Sequence, residues 1–382
     1  MKVLYDYQIF DMQVTGGISR YHADLYRECL ENDILSEIAI KYSDNIYLKD
    51  LNLKLNRRFS SEEHFLGGIS FKGKNILYRI GKKMGMNILD SEQYNALYCR
   101  EIIQKYNYDI FHPTYYKDLY ADIDIKRPVI LTIHDMIYES YPHFMDGLDT
   151  IINKRKWASK SNAIIAISEY TKEEILKYYD FLKESDVHVV YHGIDLDNLS
   201  SYPIVTEKEK FILFVGDRWE YKDFYTLLRA VKIVKKLYPE IKLCCVGRPF
   251  SQKELLYINF LGLYENVENR GRVSDEELIE LYRKTFIYIS TSLSEGFGLP
   301  LLESMKYGAP MLLSDIKVYR EIAKDAAMYY APTDENNLAE SILELYNNSN
   351  IPFDLISRGR NRILLFDKKQ MICNSLKVYK SI

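Results

Sequence analysis

The chain has 382 residues, 47% of them hydrophobic and 27% charged, with a formal net charge of -3 at pH 7. That length exceeds what one hydrophobic core organises and sets an expectation of two domains. The composition excludes a disordered chain, and the near-balanced charge excludes a basic nucleic-acid surface spread over the whole molecule.

The five cysteines are scattered, with no CxxC pair, which fits a reduced cytoplasmic setting. The opening apolar run, Met1 to Tyr5, meets Asp6 at once. Neither a signal-peptide core nor a run of about 18 apolar residues is therefore expected anywhere in the chain.

In chain order, short apolar runs alternate with amphipathic segments, the pattern of βαβ units around a parallel sheet. Strands are predicted at Lys2 to Tyr5, Ile110 to His112, Val129 to Ile133, Ala163 to Ile167 and Val187 to Tyr191. After the first comes "TGGISRY", with Gly16 and Gly17; after the third comes His134. Between them, Lys54 to Lys83 holds Lys54, Arg57, Arg58, Lys72, Lys74, Arg79, Lys82 and Lys83 against Glu62 and Glu63, interleaved with Phe and Ile residues. A basic, apolar segment of this kind suits the headgroup plane of an anionic bilayer and a lipid-diphosphate acceptor, which sets the expectation of a peripheral contact at the cytoplasmic face of a membrane. "HPTYYKDLY" adds Tyr115 and Tyr116, aromatic rings able to stack on acceptor sugars.

Apolar periodicity lapses from Asp195 to Lys210, where Pro203 falls. The expected units are residues 1–200, residues 201–362, and a closing amphipathic helix over 363–382 that is able to pack on either domain. The second unit restarts with the strand "KFILFVG", ending at Gly216, and the helix "DFYTLLRAVKIVKKLYP". Then follow strand "KLCCVG", helix Gln252 to Leu261, strand Val267 to Arg270, and helix "SDEELIELYRKT", where Ser274 and Glu277 are spaced as a capping box. Strands "FIYIST" and "PMLLSD" flank "SEGFGLPLLESMKYGAP".

In open parallel sheets, ligands bind beyond the carboxyl ends of the strands. Glu295 stands there, and Gly296, Phe297 and Gly298 form a turn into a helix that Pro300 suits at its first position. Such a turn offers backbone N–H groups and the positive dipole end to an anion. Glu303, a turn into the helix, is a carboxylate fit to accept hydrogen bonds from sugar hydroxyls. Together they ask for a sugar nucleotide.

The run from Glu295 to Glu303 resembles the E-x7-E motif of retaining glycosyltransferases of the GT-B fold, family 4 in particular, and "GAPMLLSD" continues the likeness. The resemblance implies an α/β protein with two Rossmann-like parallel-sheet domains facing a central cleft. It implies that Glu303 binds the nucleotide ribose, that Glu295 sits at the donor sugar, and that Gly296, Phe297, Gly298 and Leu299 give contacts to sugar and phosphate. "VGDRWEYKDF" is similar to the family's glycine, arginine and lysine element, so Gly216 borders the donor while Arg218 and Lys222 neutralise its diphosphate; Val273 is a further donor-side position. Gly16 and Gly17 resemble the loop meeting phosphate from across the cleft, and His134 the strand-end histidine facing the reacting sugar. Acceptor-side candidates are Tyr115, Tyr116, Arg79 and Lys82. No metal or other cofactor is expected, since the two cations supply the charge. Two departures stand out: Lys368 replaces a common aromatic before the last helix, and Arg248-Pro249 replaces a more glycine-rich turn.

The implied activity is transfer of a mannose- or glucose-type hexose from a UDP- or GDP-sugar to a saccharide or lipid-linked saccharide acceptor in surface polysaccharide assembly. A sugar-nucleotide epimerase of the same fold would instead consume donor without acceptor, and a non-catalytic binder would hold nucleotide without turnover. "GISFKGKN" lacks the Ser or Thr and the preceding strand of a phosphate-binding P-loop, and the pairs Asp122/Asp124 and Asp195/Asp197 read as turns.

Overall fold

The structure, a computed structural model, describes residues 1–120, 123–142, 147–205, 207–348 and 350–382; Asp122 of the first D-x-D pair lies outside them. Six short strands build the first domain: β1 (Lys2–Tyr5), β2 (Leu35–Ile38), β3 (Ile110–His112), β4 (Ile130–Ile133), β5 (Ala163–Ala166) and β6 (Val187–Val189). They pair in parallel as β2-β1-β3 and β4-β5-β6, and a bridge between Phe111 and Val129 joins the two groups. β4 and β5 are buried at every residue, which is why they read as unbroken apolar runs.

The second domain is one six-stranded parallel sheet from β7 (Glu209–Val215), β8 (Lys242–Val246), β9 (Val267–Gly271), β10 (Thr285–Ser290), β11 (Met311–Ser314) and β12 (Met328–Tyr330), in the order β12-β11-β10-β7-β8-β9. Strand order reverses between β10 and β7 here, and between β1 and β3 in the first domain. These switch points are where connections leave in opposite directions and open a crevice. Helices cover both faces of the second sheet, with separate apolar clusters on each.

The closing helix, Lys368–Lys380, belongs by packing to the first domain. Met371, Ile372, Leu376, Val378 and Tyr379 join its core, and the Tyr379 hydroxyl meets Tyr5 Oη at 3.0 Å and His112 Nδ1 at 2.7 Å. The crossing is pinned by backbone rather than by an aromatic pair: Ile194 N donates to Phe366 O and Lys368 N to Ile194 O. Among the described residues no helix is long and apolar enough to cross a membrane.

Candidate active site

The turn after β10 is shaped by what it touches. Gly298 adopts a left-handed conformation (φ 95°) before helix Leu299–Tyr307, whose second residue is Pro300. Gly296 is glycine for another reason: a Cβ there would stand 1.7 Å from the carbonyl oxygen of His134, so turn backbone and first-domain backbone lie in contact. Across the crevice, helix Gly17–Glu31 begins at the glycine loop, and a Cβ on Gly17 would meet Leu299 Cδ1 at 2.8 Å. Two helix N-termini, one from each domain, therefore converge on one place, each carrying a partial positive charge, with Ser19 N already bonded to Gln13 Oε1 and Leu301 N to Gly298 O.

Beside them lies a cavity of 320 Å³ lined by residues of both domains, including Gly17, His134, His192, Lys222, Glu295, Phe297, Leu299 and Tyr319. Lys222 Nζ donates to Glu295 Oε1, which also accepts from Ser292 Oγ at 2.8 Å and Tyr319 Oη at 3.3 Å. Three donors on one oxygen hold that carboxylate in one direction. A second, smaller cavity shares Gly17, His192 and Leu299 with the first and adds Arg20, Glu303 and Lys368. Glu303 accepts from the Tyr282 hydroxyl at 2.9 Å. Removal from water raises its pKa above the ordinary carboxylate value, partly offset by Tyr282 and Arg20. The two glutamates of the motif thus serve two adjoining chambers, divided by Leu299 and Gly17.

His134 packs face to face on His192, ring centroids 5.6 Å apart, and edge-on to Tyr21. Burial pushes its pKa well below the usual value, with His192 the next cause, so its imidazole is neutral. Neither ring nitrogen has a hydrogen-bond partner among the described residues. Phe297, 2% exposed, closes the stack edge-on to His192.

Other expected residues fall elsewhere. Arg218 does not reach either chamber: its side chain is fully buried, donating from Nε to Glu254 Oε1 at 2.7 Å and from Nη2 to the carbonyls of Arg248 and Pro249. It lies over Phe250, 4.7 Å from the ring centroid. Position along the loop decides this, since Arg218 points under the sheet end while Lys222, a turn later, points out. Tyr116 is turned inward, its hydroxyl accepting from His134 N at 3.2 Å and standing 3.3 Å from Thr132 O. It supports the strand end and cannot stack on a sugar; its neighbour Tyr115 is half-buried against it. Gly216 (φ 127°) supports the crossing to Gly247, Val273 packs on the apolar cluster under the sheet, and Arg79 and Lys82 are exposed on a peripheral helix; none of the four lines a chamber. Ser274 caps its helix by accepting from Glu277 N, without a bond in return. Arg20, His192 and Tyr319 are among the lining residues that local pattern did not single out. Arg20 alone carried a signal, being one turn beyond Gly17 on the helix facing the crevice.

Two Rossmann-like domains with a strand-loop-helix glutamate motif at their crevice define an enzyme of the GT-B glycosyltransferase class. The chain belongs to these glycosyltransferases by sequence as well: the model for Glycosyltransferase Family 4 matches residues 85–198 and that for Glycosyl transferases group 1 matches residues 200–362. The O-antigen chain mannosyltransferase RfbU of Salmonella typhimurium is 29% identical over 265 residues, 66% of this chain and 70% of its own. The phosphatidyl-myo-inositol mannosyltransferase of Mycobacterium leprae is 26% identical over 264 residues, 67% and 68% of the two chains. Among solved structures, Anabaena HepE in complex with UDP and glucose superposes with a TM-score of 0.72 over all of both chains at 16% identity. TarM of S. aureus gives 0.74 at 15% identity, covering 99% of each chain.

Proposed function

We propose that the protein transfers a hexose, mannose- or glucose-type, from a UDP- or GDP-sugar to a saccharide or lipid-linked saccharide in surface polysaccharide assembly, with retention at the anomeric carbon. The observation that carries this reading is the convergence of two helix N-termini and Lys222 on a chamber that also holds Glu295, with Glu303 in the chamber next to it. A nucleoside diphosphate-sugar asks for that order of groups: cationic and dipolar ends for the diphosphate, a carboxylate for ribose hydroxyls, a second oriented carboxylate for the hexose. The mannosyltransferase relatives and the UDP complex of HepE support the reading.

In this mechanism Lys222 and the N–H groups at Gly17 and Leu299 stabilise charge growing on the departing diphosphate, so no metal is required. Glu303 holds the ribose, Arg20 standing beside it. Glu295, fixed by Lys222, Ser292 and Tyr319, accepts from hexose hydroxyls. The resemblance adds front-face attack, in which the leaving phosphate oxygen takes the acceptor proton. Closed domains exclude the water that would otherwise hydrolyse the donor.

The acceptor arrives from the side of residues 54–83, which lie against the cytoplasmic face of the membrane. Large apolar side chains in that segment, Ile69, Ile76 and Ile80 among them, stand exposed.

The deciding experiment is thermal unfolding with UDP, GDP and ADP, alone and as sugar conjugates, because a ligand that binds only the folded state raises its melting temperature. One nucleotide series is expected to protect, and Glu303→Ala to weaken that series by about tenfold or more, roughly the 1.4 kcal/mol of one charge-assisted hydrogen bond. Cooperative unfolding with no protection by any nucleotide would defeat the donor site.

A further inference from the structure

The N-terminal turn of helix Glu169–Tyr178 is capped by both domains at once. Ser168, its N-cap, accepts from Thr171 N at 3.0 Å. The two amides ahead of Thr171 are bound from the other domain: Glu169 N donates to Glu321 Oε1 at 2.8 Å and Tyr170 N to Glu321 Oε2 at 2.9 Å. One second-domain carboxylate thus takes two of the orphan donors that open every helix, at the end where the dipole favours a negative charge. Glu321 is itself held: Arg362 Nη2 donates to its carbonyl and Arg362 Nε to that of Ile322, each at 2.9 Å.

The same turn grips the donor-side loop. Ser168 Oγ lies 2.8 Å from the carbonyl oxygen of Gly296 and Thr171 Oγ1 3.2 Å from it, with the two hydroxyls 2.9 Å apart. Ser168 and Thr171 are 0% and 1% exposed, so this pair of hydroxyls and the carbonyl form a dry polar contact inside the domain junction. Gly296 is also the residue whose α-carbon abuts His134 O. One loop residue therefore meets the first domain on two sides, between the glutamate and the phenylalanine that line the larger chamber.

We propose that Ser168 and Thr171 are positioning residues for the Glu295–Leu299 loop, and that Glu321 sets how closely the two domains approach by completing the cap of the helix that carries them. The inference rests on the donor-site reading only where it concerns turnover. An N-cap alone needs Ser168 to accept a hydrogen bond, whereas gripping Gly296 needs it to donate one. Those two needs come apart in Ser168→Asp, since aspartate caps a helix as well as serine but has no proton to give a carbonyl.

The test joins amide exchange with kinetics. Glu321→Ala is expected to speed exchange at Glu169 and Tyr170 by roughly a hundredfold, and with it exchange in the peptide spanning Glu295 to Leu299, because the contact opens as one unit. Glu321→Gln, which keeps a carbonyl acceptor, is expected to retain part of that protection. Ser168→Asp is expected to lower the melting temperature, because its carboxylate is buried against the Gly296 carbonyl. It is expected to hold affinity for UDP or GDP within about twofold while kcat falls by tenfold or more, as a misplaced loop costs turnover before binding. Ser168→Thr, whose hydroxyl both accepts and donates, is expected to keep kcat near wild type. The proposal is overturned if Glu321→Ala leaves the Glu295 to Leu299 peptide as protected as before, or if Ser168→Asp turns over like wild type. Failure of UDP and GDP to protect the wild-type protein would sink the donor-site reading alone, and the exchange measurement would still decide the grip.

Discussion

Arg218 and Lys222 stand on one loop in opposite surroundings, and the difference sorts what each does. The Arg218 side chain is 0% exposed and ties the ends of β7 and β8 to helix Gln252–Phe260 through Glu254, whose other oxygen accepts from Ser251 N. Removing one partner of a buried, hydrogen-bonded pair leaves the other charge without compensation, at a cost of about 3–5 kcal/mol. Arg218→Ala is therefore expected to shift the urea midpoint strongly and to lose activity through lost fold. Lys222 is 21% exposed beside Glu295 at 13%, and its removal is expected to move stability by only about 1 kcal/mol, since water reaches the pair, while turnover falls sharply. Equal stability losses for the two variants would contradict this division. The sequence placed both cations near the site because both follow β7. Which way a loop side chain points depends on φ and ψ at one or two residues, and spacing carries no record of that.

At the scale of elements, strands buried on both faces were readable, as were the edge strands β6 and β9, whereas two other edges were not. β4, β5, β10 and β11 are apolar runs because helices cover them on either side. β2 and β12 were missed: each closes one edge of its sheet with three or four residues, and β2 has Leu35 65% exposed and Glu37 within it. The helix Lys74–Lys83 was legible only as composition. The structure leaves Ile76, Leu77 and Ile80 47–65% exposed on it, with Met84 79% exposed just beyond. From His64 to Leu89 the chain has five Lys or Arg and no acidic residue, within a protein of net charge -3. Apolar side chains and cations without counter-charges match an anionic bilayer better than a neutral one, each cation near the surface contributing about 1 kcal/mol. The protein is expected to float with vesicles of phosphatidylcholine and phosphatidylglycerol, but not with phosphatidylcholine alone, and to be released by salt. Ile76→Ser with Ile80→Ser should abolish flotation and leave the melting temperature alone. Equal binding to neutral vesicles, or none to either, would count against the contact.

Taken whole, the molecule gathers at its domain junction residues far apart in sequence, and this is what local pattern could not supply. Arg20, His192 and Tyr319 line the chambers only because two sheets face each other, and the last helix returns to the first core. Four of the seven histidines, His22, His112, His134 and His192, each no more than 5% exposed, lie in one row of ring contacts in the first domain, of which His134 and His192 reach the junction. Burial lowers all four pKa values, His112 to about 3 and His192 to about 4. His22 is the informative one, since both its ring nitrogens lack partners among the described residues and the rings of Tyr5, Tyr21, His112 and His134 surround it. A buried neutral histidine leaves stability unaffected above its unfolded pKa of about 6.5. Below that the unfolded chain takes up a proton the folded one refuses, and stability falls by about 1.4 kcal/mol per pH unit until the folded pKa is reached. Phenylalanine fills the same space without the two unpaired nitrogens and without a proton to bind. His22→Phe is therefore expected to be no less stable than wild type at pH 8, and its advantage in melting temperature should widen steadily from pH 6.5 to 5. An advantage that stays constant across that range would mean His22 is already protonated, or paired, in the folded protein.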